Sequence, residues 1–213
     1  MLAASPATIR GVEETFSVSR VEAFSDGVFA IAITLLILEI RVPPGTEDVG
    51  AALLHIWPSY LAYVTSFLTI GVIWLNHHLV FTLLSRVDRP LVAINTLMLM
   101  VVSFIPFPTR LVAEFLRQRD AEDDAALAYA ATFVVLALVF ELWWRWITSG
   151  RRLVKEEIPQ SVIDTITRSY NPATLIYATA AAVSFLSPLT SVAICLVLAV
   201  FFALPATLFF RPR

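Results

Sequence analysis

Apolar residues run along this chain in six long stretches, interrupted by short polar, proline-containing or charged segments. The stretches are 20–40, 56–84, 91–115, 125–147, 172–187 and 189–210. A helix that crosses a bilayer needs about 20 mostly apolar residues. Five of the six reach that length, and the fifth in order is shorter and rich in alanine. Local signals agree with these boundaries. Ser19 and Glu22 have capping-box spacing. Asn171-Pro172 and Ser187-Pro188 each place a cap residue before a proline at the first helical position. Pro43-Pro44-Gly45 ends the first span, Pro106 and Pro108 kink or shorten the third, and Gly150 follows the fourth. The pattern predicts an all-α, polytopic membrane protein of six helices over 19–213. An N-terminal arm precedes it at 1–18, and a mixed-charge linker lies at 151–168.

Composition points the same way. Of 213 residues, 58% are hydrophobic and 15% charged, with mean hydropathy +0.79. Soluble domains carry roughly 25% charged residues. The net charge of −2 gives no basic face for nucleic acid. Cys195 stands alone, so neither a disulfide framework nor a cysteine zinc site can form within the chain. No glycine-rich phosphate loop, catalytic constellation or internal repeat is found, and neither enzyme activity nor a cofactor is expected. No small-residue cleavage site follows the first apolar run, which reads as a retained span. With the N-terminus inside, eleven basic residues face the cytoplasm and four face outward. The positive-inside rule therefore puts both termini in the cytoplasm of a cell (inner) membrane protein. The outer acidic run 120–124 reads as a solvated helix cap.

Chemistry concentrates in the first span. Ile31, Leu35 and Leu38 share one helical face, which Phe24 and Gly27 extend toward the cytoplasm. Thr34 lies one step around it. Several copies meeting on an axis would stack apolar rings that gate by dewetting, with a ring of hydroxyls among them. Periodicity allows ordinary helix packing or lipid contact equally, and a threonine can bond back to its own helix. Asp26 sits about two turns into the helix, and an intramembrane carboxylate needs a partner. Ser25, Trp74, His77 and Asn95 are the candidates, in a network that clamps the first three spans. A proton relay through Asp26 and His77 is the competing use. His77 and His78 point about 100° apart on a helix and make a poor metal pair. Glu141 and Arg145 have ion-pair spacing, Glu39 and Arg41 lie at a boundary where they can snorkel, and Trp143, Trp144 and Trp146 read as an interfacial belt.

The motif Arg20-x-x-x-Phe24-Ser25-Asp26-Gly27, continuing through Phe29-Ala30-Ile31-Ala32-Ile33-Thr34-Leu35-Leu36, is joined by Trp74-x-x-His77-His78 in the second span. Together they closely resemble the six-helix prokaryotic branch of the endosomal and lysosomal potassium channel family, the transmembrane protein 175 type. That resemblance implies passive, K⁺-preferring permeation, with other monovalent cations as possible passengers, and no conventional filter loop. It implies a homotetramer in the lipid bilayer whose pore is lined by the first helix of each subunit. Ile31, Leu35 and Leu38 then take the constriction, and Thr34 the ion preference. Permeating K⁺ passes near Ile31 and Thr34, with no other metal. Arg20, Phe24, Ser25 and Asp26 brace the pore helix against Trp74, His77 and Asn95. The alternative is a proton-coupled secondary cation transporter using Asp26 and His77.

Overall fold

A computed structural model describes residues 17–42, 44–45, 47–116 and 121–203. Most of the expected N-terminal arm and the end of the sixth stretch lie outside the described residues. The described chain is helical, with an isolated antiparallel bridge between Leu84 and Val154. Helix α1 spans Val18–Leu35 and tightens into a 3₁₀ turn over Leu36–Glu39. A short α2, Val49–His55, precedes the long α3, Trp57–Leu83. Then follow α4 (Arg89–Phe104), α5 (Pro106–Phe115), α6 (Glu122–Thr148), α7 (Gln160–Val183) and α8 (Pro188–Ala203).

Val18–Glu39, Trp57–Leu83, Arg89–Phe115 and Glu122–Arg151 are long and apolar enough to cross a membrane. The apolar helix at Pro188–Phe202 is shorter. Helix α7 opens with Gln160, Asp164 and Arg168, so its first turns are polar. By length and hydropathy the described structure therefore supplies four candidate spans where the sequence pattern suggests six.

Two boundaries differ from expectation and a third follows it. The Ser19–Glu22 capping box does not form. Ser17 holds the cap position without a side-chain bond to the helix backbone, its hydroxyl meeting that of Ser19 inside the helix at 2.8 Å, and the Glu22 carboxylate is engaged by His78 on α3. The third stretch divides at Ile105, where Pro106 opens α5; this is the expected proline effect. The fifth does not begin at Pro172. Helix α7 runs through that proline from Gln160, so much of the expected linker is helix. Packing accounts for this. Ahead of the proline, the Thr167 hydroxyl accepts the Trp144 N–H at 2.9 Å, and the Tyr170 hydroxyl donates to Asn76 Oδ1 at 3.1 Å. These bonds hold the segment against α6 and α3 and offset what the missing N–H costs.

Local chemistry explains the other ends. Asp48 and Asp88 cap α2 and α4 by accepting from Ala51 N and Leu91 N. Glu122, Asp123 and Asp124 fill the first turn of α6, where the helix dipole favours negative charge. At its other end, Gly150 takes a φ of 63°, a left-handed conformation that suits glycine.

Helices α3 and α6 run through the centre of the bundle. Tyr129, Phe133, Trp143 and Trp144 are buried there beside Ile70, Phe81 and Ile105. Ser66 on α3 shares hydrogen bonds with Thr109 on α5 at 2.7 Å and Tyr129 on α6 at 2.9 Å. In lipid, apolar burial gains little over contact with acyl chains. Close packing and interhelical hydrogen bonds must supply the specificity.

Candidate functional site

Helix α1 has two unlike faces. Val21, Ser25, Phe29, Ala32 and Leu36 recur every three or four residues and are buried against α3 and α4. On the opposite side Phe24, Ile31, Leu35 and Leu38 are 62%, 61%, 41% and 57% exposed. Gly27 lies on the same side, and a Cβ there would meet nothing within 4 Å. The 3₁₀ turn matters here, because residues three apart eclipse in that geometry. It sets Leu38 over Leu35, where a continuing α-helix would place it about 60° round on the same face, nearer Ile31. Thr34 is also exposed. Its hydroxyl proton is directed back to the carbonyls of Ala30 (3.0 Å) and Ile31 (2.9 Å), leaving an oxygen lone pair outward.

The buried face carries a hydrogen-bonded chain through three helices. His77 on α3 is 3.0 Å from Asn95 Oδ1 on α4 through Nε2. Asn95 Nδ2 donates to Ser25 Oγ on α1 at 2.9 Å, and Ser25 donates to its own helix at Val21 O, 2.8 Å. Because the Asn95 amide hydrogens point at Ser25, its oxygen must accept, so His77 carries its proton on Nε2. The imidazole is packed against Phe29 edge-on at 5.2 Å, Phe81 at 4.5 Å, and Trp143 nearly parallel at 5.2 Å.

A second polar layer joins the same two helices nearer the surface. Trp74 Nε1 donates to Asp26 Oδ1 at 2.9 Å. One turn away, His78 Nδ1 meets Glu22 Oε1 at 2.8 Å. The Trp74 and His78 rings stack at 6.3 Å. Glu22 and Asp26 are four residues apart on α1, and Trp74 and His78 four apart on α3, so the contacts form two parallel rungs.

The expected single network is thus divided. Ser25, His77 and Asn95 form one group, Asp26 and Trp74 another, and no hydrogen bond between described residues links Asp26 to His77. Arg20 is exposed, and its side chain has no polar partner among the described residues; Phe24 faces outward. Neither joins the brace within one chain. Glu22 and His78 were missed as a pair, although their four-residue offsets from Asp26 and Trp74 were legible. The aromatic belt is corrected too. Trp143 and Trp144 are buried, and only Trp146 is half-exposed. Glu141 and Arg145 do pair, and Glu141 also accepts from Thr174 on α7. Among the described residues, no three of His, Cys, Asp and Glu gather as metal ligands do.

Comparison with known proteins places this architecture. The family described as "Endosomal/lysosomal potassium channel TMEM175" matches residues 20–106, which hold most of α1 and all of α2, α3 and α4. The chain is similar to a potassium channel of Chamaesiphon minutus, at 47% identity over 195 residues covering 90% of this chain and 96% of that one. A potassium channel of Streptomyces collinus is 54% identical over 134 residues, 62% of this chain and 65% of its own. The crystal structure of a lysosomal potassium-selective channel TMEM175 homologue from Chamaesiphon minutus superposes with a TM-score of 0.79. It is 46% identical, covering 88% of this chain and 96% of that one. With a relative of that identity matched along nearly its whole length, the chain belongs to the TMEM175 family of membrane channels.

Proposed function

We propose that this protein is a K⁺-preferring cation channel. In this reading four copies of the 19–213 unit assemble with the exposed face of α1 around a central conduit. The observation that carries the proposal is the asymmetry of α1. One face is hydrogen-bonded and packed into α3 and α4, while the other leaves Phe24, Gly27, Ile31, Thr34, Leu35 and Leu38 exposed among the described residues. A helix held on one side cannot rotate freely, so the same residues would face the axis in every subunit. Ile31, Leu35 and Leu38 then form apolar rings that conduct when they dilate or rehydrate, and Thr34 supplies a ring of oxygens beside them. Few oxygen ligands line such a path, so K⁺ preference over Na⁺ is modest. The names of the bacterial relatives, potassium channels, fit this reading.

Ser25, His77 and Asn95, with Asp26 and Trp74 outside them, act in this proposal as the brace of the pore helix. Arg20 and Phe24, which face away from it, are left to contacts between subunits. The cell membrane, with both termini cytoplasmic, is the corresponding location.

Purified protein in liposomes tests the function. K⁺ flux down its gradient, faster than Na⁺ and independent of a proton gradient, is the expected result. Flux that requires a proton gradient would move the protein to the coupled-carrier class. That class needs Asp26 and His77 to exchange a proton, and they end in separate hydrogen-bonded groups.

A further inference from the structure

We propose that the junction of the α3–α4 and α6–α7 connections binds the phosphate headgroup of an anionic phospholipid, with Arg86 and Arg152 as its ligands and Trp146 as its platform. The two connections are stitched together. Leu84 bridges Val154, Ser85 N donates to Leu153 O at 2.9 Å, and Lys155 N to Leu83 O at 3.0 Å. The Lys155 ammonium reaches Thr82 O at 2.7 Å, and Arg86 Nε donates to Arg152 O at 2.9 Å. The last bond holds the Arg86 guanidinium by Nε. Its two terminal nitrogens have no partner among the described residues.

Arg152 is held from below. Its guanidinium lies 4.6 Å above the Trp146 ring, and its nearest carboxylate, Asp88, is at 3.9 Å. Asp88 is already occupied, accepting from Leu91 N at 2.9 Å and Trp146 Nε1 at 3.1 Å. Two exposed guanidinium groups thereby keep unspent donors, the first bonded to the backbone of the residue that carries the second. Planar forks of that kind match phosphate oxygens in pairs. Glu156 and Glu157 follow Lys155, but among the described residues of the two connections Arg86, Arg151, Arg152 and Lys155 outnumber Asp88, Glu156 and Glu157 and leave the junction net positive.

The surroundings favour a lipid over a free phosphate. The candidate spans containing α3, α4 and α6 all end here, and the half-buried Trp146 has the amphipathic character of a side chain at the headgroup boundary. One turn down α6, Leu142 is exposed, and so is Leu79 on α3, giving acyl chains an apolar wall below the arginines. A basic cluster beside a span attracts anionic lipid at close range.

Native mass spectrometry of the purified protein, equilibrated with mixed phosphatidylglycerol and phosphatidylcholine, tests the site without requiring conduction. The wild type retains phosphatidylglycerol in preference. The R86Q/R152Q variant loses that preference by about 5-fold for each arginine removed, while phosphatidylcholine retention stays the same. R41Q/R110Q, with matched charge loss at the other end of the bundle, keeps the preference. The proposal is overturned if the wild type holds both lipids equally, a measurement that decides even should R86Q/R152Q fail to assemble. It is overturned as well if R41Q/R110Q loses as much as R86Q/R152Q, or if millimolar inorganic phosphate displaces the lipid completely. A protein that binds the lipid but passes no K⁺ would refute the channel function alone.

Discussion

Helices α1 and α3 meet through two polar layers that differ in depth. In the inner layer Ser25, Asn95 and His77 are buried and bonded end to end, with α4 supplying the middle member. In the outer layer the Glu22–His78 and Asp26–Trp74 rungs are partly exposed, with His78 56% exposed at the side chain. Apart from Asn95, the His77 imidazole is packed against the rings of Phe29, Phe81 and Trp143, which offer it no substitute acceptor. The outer layer can exchange each protein bond for water or a lipid headgroup. The contrast teaches that the inner layer sets where α1 sits, whereas the outer one trims it. Loss of a buried partner leaves two groups unsatisfied, and loss of an exposed one leaves none.

Asn95→Ala gives the strongest test of that contrast. It strands the His77 N–H and takes away the donor that Ser25 Oγ accepts, although the Ser25 proton stays on Val21 O, and a loss of about 1–3 kcal/mol is expected. Thermal unfolding of the detergent-solubilised protein reads it. Stability equal to wild type would mean that the inner layer does not position α1. Asp26→Ala should cost less, about 1 kcal/mol, as an interhelical bond in a membrane protein averages near 0.6 and reaches about 1.7. It should lower assembly yield or stability more than it alters the K⁺/Na⁺ ratio; intact assembly with selectivity abolished would reverse that assignment.

The Asp26–Trp74 rung can also be isolated. Trp74→Phe removes the N–H but keeps a ring, and combined with Asp26→Ala it should add little to the single loss. A fully additive double variant would show that the rung contributes nothing. Glu22→Gln should cost still less, about 0.2–1 kcal/mol, the range of a partly exposed ion pair. Ile31→Asn sits on the uncovered face and should leave stability within about 0.5 kcal/mol. Its effect should appear in K⁺ flux, which rises as the narrowest apolar ring is wetted. Unchanged flux would remove Ile31 from the constriction.

The path of the chain was largely readable because it depends on local rules. Apolar runs of spanning length, aspartates at helix starts and prolines at breaks mark α3, α4, α5 and α6 within a few residues. The two-faced character of α1 follows from its helical repeat, and the Ser25–Asn95–His77 grouping from the need of intramembrane polar groups for partners. The continuity of α7 was not readable. Asn171-Pro172 reads as a helix start, and only Trp144 and Asn76, distant in sequence, outweigh it.

Amino-acid order by itself determined an all-helical membrane protein, the apolar stripe of α1 and the family to which its motif belongs. Each of these rests on spacing within one helix or on composition, and all three survive without knowledge of neighbours. Tertiary structure alone decided that Asp26 pairs with Trp74 and not with His77. It also put Trp143 behind the imidazole instead of at a membrane boundary, and brought Arg86 to the backbone of Arg152. These pairings join residues tens of positions apart, and their geometry depends on how the helices are rotated against one another. Rotation is set by the sum of many packing contacts, a quantity that no single segment carries.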